Sequence, residues 1–260
     1  MSGDAGHGNA LLPRRTRAAM VLRSLFIQAA NNFERMLSLG FLFALWPAIK
    51  IAHPSPAARR EAAVRHLAFF NTQPYLANCI LGVVAHAELT ERGPTLAFSE
   101  ASIKRAMMGA FGALGDDLFW AGLMPAAALL ALPIYALWPR YALVGVVAAL
   151  LAYNLFHLWA RVHLFTMGLK LGRRVTRYLK LLRLPRLVVV VKVVGAALLG
   201  IFAAALAWRA AANASRPGVA VALAGGAAAC SFALTSLGVK PGLCWYAIVA
   251  AAAAVGVILL

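Results

Sequence analysis

The sequence predicts an all-α integral membrane protein, in which amphipathic and re-entrant helices are followed by about five transmembrane helices. Three observations carry that reading. The 260 residues are 63% hydrophobic, with a mean hydropathy of +0.79, where a soluble chain of this length is nearer to half apolar. Five windows approach or reach the roughly 20 apolar residues that cross a bilayer as a helix: Leu118–Trp138, Tyr141–Ala160, Leu187–Trp208, Val219–Leu237 and Leu243–Leu260. Only Lys192 interrupts them with a charge. The net charge of +17 is unevenly placed: all eight acids precede residue 118, and from there to the end stand 13 Lys/Arg and no acid. Basic loops between apolar helices are what the positive-inside rule expects. No aromatic–basic motif of a nucleic-acid module appears, so nucleic acid is not an expected partner.

The elements follow in order. Residues 1–13 read as a disordered amino terminus, 14–117 as an amphipathic and re-entrant helical half, and 118–260 as the transmembrane half. No apolar run with a cleavage site follows the first basic residues, so no signal peptide is expected. From Arg14 to about Arg35, apolar Met20, Leu22, Leu25, Phe26 and Phe33 alternate with Arg17, Arg23 and Gln28. That pattern suits a helix lying on the inner membrane surface, where cations meet anionic lipids. Met36–Ile49 is an apolar run of 14 residues, too short to span and suited to a re-entrant segment. His53-Pro54-Ser55-Pro56 reads as a turn and Ala57–Leu67 as a short basic helix. Phe69–His86 is apolar but holds Asn71, Thr72, Gln73 and Pro74, and Glu88 to Pro94 reads as a polar turn. Gly109, Gly112 and Gly115 recur every third residue before Asp116 and Asp117, a spacing that lets backbones approach.

Arg161–Arg186 holds eight Lys/Arg and reads as a cytoplasmic loop. Counting helices from it places the amino terminus in the cytoplasm and the carboxy terminus outside. Trp120, Trp138, Trp159, Trp208 and Trp245 suit an interfacial aromatic belt. Cys79, Cys230 and Cys244 are far apart, with neither disulfide-framework nor metal spacing. The histidines lack the helical pairing of a metal site, and each reads as structural.

Four stretches, in order, resemble the IID component of the mannose/fructose/sorbose family phosphotransferase system: RSLFIQAANNFERMLSLGFLFALWPAIK (Arg23–Lys50), RHLAFFNTQPYLANCILGVVAHAE (Arg65–Glu88), IKRAMMGAFGALGDDLFW (Ile103–Trp120) and, more weakly, YNLFHLWARVHLFTMGLKLG (Tyr153–Gly172). The last 70 residues match only in hydropathy and in GVKPGLCWYAIV. The family usually carries His where this chain has Gln73, and Ser or Ala where it has Asp117. The resemblance implies a membrane subunit of a phosphoenolpyruvate-dependent uptake system in the bacterial inner membrane. It implies a homologous IIC partner, a cytoplasmic IIB (or IIAB) subunit that phosphorylates the arriving hexose, and a trimer of IIC–IID heterodimers. The phosphorylated side chains of that relay lie on other proteins or domains. No catalytic residue, metal or cofactor is therefore expected of this chain.

Polar groups at bilayer depth cost about 2.5–3.5 kcal/mol each for acids, so those in apolar stretches are candidates for function. Asn32 and Glu34, beside Asn31, stand before the re-entrant run. Asn71 and Gln73 stand at the Pro74 break, where upstream carbonyls lose their donors. Asp116 stands at the start of the first long window, where its alternative role is an N-cap for a helix from Leu118. Asn32, Glu34, Asn71, Gln73 and Asp116 are the expected substrate or gate contacts. Two other readings are a Mg²⁺ enzyme built on Asp116-Asp117, for which the acids are too few, and a non-transporting scaffold or regulatory paralogue.

Overall fold

Proline and short polar side chains set the first helix boundaries. The computed structural model describes residues 12–91 and 93–213, with Gly218, Gly225 and Gly226. Helix α1 (Arg14–Ser24) starts directly after Pro13. Helix α3 (Pro56–His66) has Pro56 in its first turn and Ser55 as its cap, whose Oγ accepts from the Ala58 amide at 3.2 Å. Between them, α2 (Ser38–Ala52) is an apolar helix carrying Pro47 in its interior. Proline has no amide hydrogen, so the Phe43 carbonyl one turn earlier loses its helical donor. Arg23 of α1 donates to that carbonyl at 3.3 Å and covers the Phe43 ring at 4.8 Å.

The surface helix expected to run to Arg35 ends at Ser24. The chain then turns through residues 25–37, and within them Asn32 binds its own loop: its Oδ1 accepts from the Arg35 amide at 2.9 Å and its carbonyl from the Met36 amide at 2.8 Å. Asparagine competes with helices in this way. Met36 takes a left-handed φ of 51°. A Cβ on Gly40 would overlap the backbone of Ile27, so α2 rests directly on this loop.

Helix α4 (Ala77–Thr90) carries Glu88 inside it, where the sequence suggested a turn. Helix α5 (Gly93–Gly115) runs without a break through a π-helical segment (Asp116–Leu123) into α6 (Met124–Leu137). Pro125 sits just past the wide turn. A proline ring crowds the carbonyl four residues back, and a π turn is one way a helix absorbs that. Asp116 is thus inside a continuous helix and makes no cap.

Helix α7 (Ala142–Leu171) extends past Arg161, through a 3₁₀ turn (Gly172–Arg174) into α8 (Val175–Leu181) and, after a tight turn at Arg183, into α9 (Leu184–Asn213). The basic stretch Arg161–Arg186 is therefore mostly helix and not loop. Among the described residues, three helical stretches are long and apolar enough to cross a membrane: Ala101–Leu137, Pro139–Leu181 and Leu184–Leu206. They cover the second apolar window whole and the first and third to within one or two residues. The fourth and fifth lie outside the described residues. Among the described residues there is no strand, only isolated bridges, Asn32 to Met36 and Met36 to Phe70.

The described residues of Met1–Met124 and Ala152–Val191 form one compact unit, and those of Pro125–Leu151 and Lys192–Leu260 a second. In the first, α4 crosses α7 at glycine. A Cβ on Gly82 would overlap the Phe165 carbonyl, and one on Gly168 the Cys79 carbonyl. Only bare backbones fit at that crossing. His86 Nδ1 donates to the Leu169 carbonyl at 2.9 Å, and Gly172, at φ +52°, leaves room for that ring. In the second unit, Gly145 lies against Ala131, and Arg209 donates at 3.1 Å to the Ala136 carbonyl. That carbonyl is in the last turn of α6, which leaves it without a helical donor.

One buried carboxylate ties the first unit together. Glu88 is fully buried. It accepts from His53 Nε2 at 2.5 Å, His66 Nε2 at 2.7 Å and Arg65 at 3.1 Å. Lys104 of α5 reaches the His66 carbonyl at 3.5 Å and lies 4.6 Å above the Phe41 ring. Breaking such a buried set is expected to be costly, because the remaining charge has no water to turn to. Glu88→Ala is expected to lower stability by about 3–5 kcal/mol. Thermal unfolding of the detergent-solubilised chain reads this, and Glu88→Gln, which keeps an acceptor, should lose less. An unchanged midpoint for Glu88→Ala would remove Glu88 from this role.

Candidate functional site

The chain's polar motifs lie on two loops and one helix of the first unit. The Leu37 amide donates to the Phe70 carbonyl at 2.9 Å, and the Phe70 amide to the Arg35 carbonyl at 3.4 Å. The loop carrying Asn32 and Glu34 therefore runs beside the loop carrying Asn71 to Tyr75. The glycine run of α5 meets the second loop. Gly112 lies against Thr72, and a Cβ on Gly115 would strike the Gln73 side chain at 2.4–2.6 Å and Leu76 at 3.0 Å. The residue that follows Gly115 is Asp116, the first of the π turn.

The five expected contacts fare differently. Asn71 and Asp116 are exposed, and among the described residues Asp116 has no partner. Glu34 is exposed and pairs with Arg35 at 3.3 Å. Asn32 is half-buried and occupied with its own loop. Gln73 is buried: its Oε1 accepts from the Tyr75 amide at 2.7 Å and the Leu76 amide at 3.0 Å. It thereby satisfies amides at the start of α4 that the Pro74 break leaves open. Its Nε2 and the neighbouring Thr72 Oγ1 are buried without hydrogen-bond partners, a costly state inside a protein. The structure brings Gln73, Thr72 and Asp116 to one place through Gly115. Asn32 and Glu34 reach the same loops through backbone pairing.

Behind the Pro74 break stands a group that the spacing of residues does not reveal. Tyr75 Oη pairs with Tyr153 Oη at 2.8 Å, and His157 stacks on the Tyr75 ring at 4.5 Å. The Arg161 guanidinium covers that ring at 4.7 Å, and Phe119 meets it edge-on at 4.8 Å. Arg161 is 4% exposed and donates to the Ser24 carbonyl at 2.8 Å. Asn78 donates to Ser24 Oγ at 2.9 Å. A buried arginine in a membrane-length helix is costly and calls for partners. Here a carbonyl at a helix end and an aromatic face supply them. The sequence signal was Arg161 itself, an ionisable residue in the register of a long apolar helix, which reads as a loop residue when its basic neighbours are counted with it.

Gly115→Leu is expected to destabilise the chain by about 1–3 kcal/mol through overpacking on Gln73. Gln73→Ala should cost about 1 kcal/mol through the lost cap. Thermal unfolding of both and of the double variant should show a less than additive loss, since removing Gln73 makes room at Gly115. Strict additivity would show that the two do not share this contact.

The family model for the PTS system mannose/fructose/sorbose family IID component matches residues 12–214. The chain is 42% identical over 113 residues to the mannose-specific EIID component of Escherichia coli K12, covering 42% of this chain and 40% of that protein. It is 35% identical over 159 residues to the sorbose-specific EIID component of Klebsiella pneumoniae, covering 60% and 55%. Over 121 residues it is 34% identical to the fructose permease IID component of Bacillus subtilis, covering 46% and 44%. The matched region thus spans about half the length of these relatives or less. A cryo-electron microscopy structure of the mannose transporter ManYZ in complex with microcin E492 superposes with a TM-score of 0.57 at 31% identity, covering 74% of this chain and 70% of that one. A second solved membrane protein superposes with a TM-score of 0.64 at 29% identity.

Proposed function

This chain belongs to the IID components of the mannose/fructose/sorbose family of phosphotransferase systems, and we propose that it takes up a mannose-type hexose together with a IIC partner while a IIB subunit phosphorylates the sugar. IID components of this family are membrane subunits, and the three membrane-length helices among the described residues accord with that. The observation that carries the finer reading is the meeting of the Asn71–Gln73 loop with Gly115-Asp116. A broken apolar stretch, a π turn and unsatisfied buried polar atoms coincide there. Sugars are held by dense hydrogen-bond groups beside aromatic or apolar surface. Exposed Asn71 and Asp116 supply the former, and Trp120, exposed in the same π segment, the latter.

In this reading Asp116 accepts sugar hydroxyl protons or meets an arginine of the IIC partner, and Asn71 both donates and accepts. Gln73 shapes the loop, with its free Nε2 available when the loop moves. Asn32 and Glu34 flank the same loops as gate residues. The chain sits in the bacterial inner membrane with its amino terminus in the cytoplasm and its carboxy terminus outside, in a trimer of IIC–IID heterodimers. It carries no phosphorylated side chain of its own. A non-transporting paralogue is the second reading. Gln73 favours it, because a side chain spent on capping α4 is less available to a sugar.

The test is phosphoenolpyruvate-dependent phosphorylation of labelled mannose by membranes holding this chain with its IIC partner, the general carriers and IIAB, against the same set without the chain. Activity should require the chain. Asn71→Ala and Asp116→Asn should each lower it about tenfold or more while the complex still assembles, the worth of one or two sugar hydrogen bonds. If the assembled complex phosphorylates none of mannose, glucose, fructose or N-acetylhexosamines with or without the chain, the transport reading fails and the scaffold reading replaces it.

A further inference from the structure

A basic groove lies between α1 and α2, away from the polar loops. Its volume is about 260 Å³, and Arg15, Ala19, Arg23, Trp46, Pro47 and Lys50 line it. The sequence builds it from two helix faces. Arg15, Ala19 and Arg23 repeat at helical spacing along α1, and Trp46 and Lys50 do the same on α2. Ala19 contributes only a methyl group between two arginines, which leaves the space open. Pro47 frees the Phe43 carbonyl, and that carbonyl anchors one arm of Arg23. A guanidinium has five N–H donors, so Arg23 keeps donors for the groove.

Among the described residues the charge of the groove is uncompensated. Helix α1 has no acid in its sequence. Among the described residues neither Arg15 nor Lys50 has an ion-pair or hydrogen-bond partner. Three cations around one cavity repel each other and favour an anion between them. The surroundings say which anion. Leu22 and Phe26 are 61% and 62% exposed on the α1 side, and Phe43 and Ile51 are about half exposed on α2. Cations at the edge of apolar surface, with a tryptophan in the groove, are the arrangement of a membrane interface. An acidic soluble partner would have no use for the bare apolar side chains beside it.

We propose that this groove binds the phosphate of an anionic phospholipid headgroup, with Arg15 and Lys50 as its charge partners, Arg23 as its hydrogen-bond donor and Trp46 against the glycerol region. The acyl chains then run along the exposed apolar side chains of α1 and α2. The site is independent of the sugar, and it gives the loop that follows α1 a fixed depth in the bilayer.

The experiment uses the full-length chain in the membrane complex it purifies with, delipidated in mild detergent and titrated with phosphatidylglycerol. Bound lipid is counted by native mass spectrometry, and phosphatidylcholine and inorganic phosphate are run in parallel. The intact chain should retain phosphatidylglycerol and not phosphatidylcholine, and millimolar phosphate should not displace it. Arg15→Gln with Lys50→Gln, both at exposed positions, should weaken retention about thirtyfold, as two interfacial cations are lost. Ala19→Phe, which fills the groove and keeps every charge, should weaken it as well. Equal retention of both lipids, or undiminished retention by either variant, overturns the proposal. Displacement by phosphate alone would make this a free-anion site and also overturn it. So would a charge variant that keeps its lipid and loses a co-purifying soluble subunit.

Discussion

Glu88 is the interaction on which the amino-terminal helices depend. A single fully buried carboxylate holds His53 at the end of α2 and both Arg65 and His66 of α3, and through His66 it reaches Lys104 of α5. Helices α2, α3 and α4 are short, and α3 has few buried side chains of its own. Short helices draw most of their stability from what they pack against. Here the packing is polar at its centre and apolar around it, with Phe41 and Phe70 closing over the lysine. Such a set is unforgiving, since the groups are costly to bury and more costly to leave half-paired. It therefore specifies one arrangement of α2, α3, α4 and α5.

With those helices held, the rest of the first unit follows from close backbone approach. Gly82 and Gly168 let α4 and α7 touch, Gly40 lets α2 rest on the loop after α1, and Gly115 lets α5 receive Gln73. These contacts bring the Asn71–Tyr75 loop against the π turn and set Tyr75 between Tyr153, His157, Phe119 and Arg161. The loops that carry the candidate contacts are thus irregular backbone seated on glycine contacts. Non-helical backbone within a bilayer is tolerated where protein or a cavity covers it.

Composition, apolar window lengths and the placement of charge were enough to read an all-helical membrane chain, because a bilayer demands long apolar helices whatever their partners. The three polar motifs were legible as well: Asn31, Asn32 and Glu34 before an apolar run, Asn71 to Gln73 at a proline break, and an acid pair after a glycine run stand out where polarity is costly. Helix ends were less legible. The first helix ended at Ser24, well before its apolar pattern did. The basic run after Arg161 looked like a loop, because residue counting cannot tell a lysine-rich helix from a lysine-rich connection.

What the sequence determined by itself, then, is what one-dimensional spacing encodes: membrane class, the first three apolar spans, and which segments carry unusual polarity. Tertiary structure alone decided that Glu88 is a buried hub and not part of a turn, that Arg161 is inside and not in a loop, that Gln73 caps α4, and that Asp116 lies within a helix. The first two turn on partners distant in the chain, His53 for Glu88, and Ser24 and Tyr75 for Arg161, whereas the Gln73 cap is made by bonds two and three residues away. A charge or an amide has no fixed place until something pairs with it, and the pairing exists only once the helices have packed.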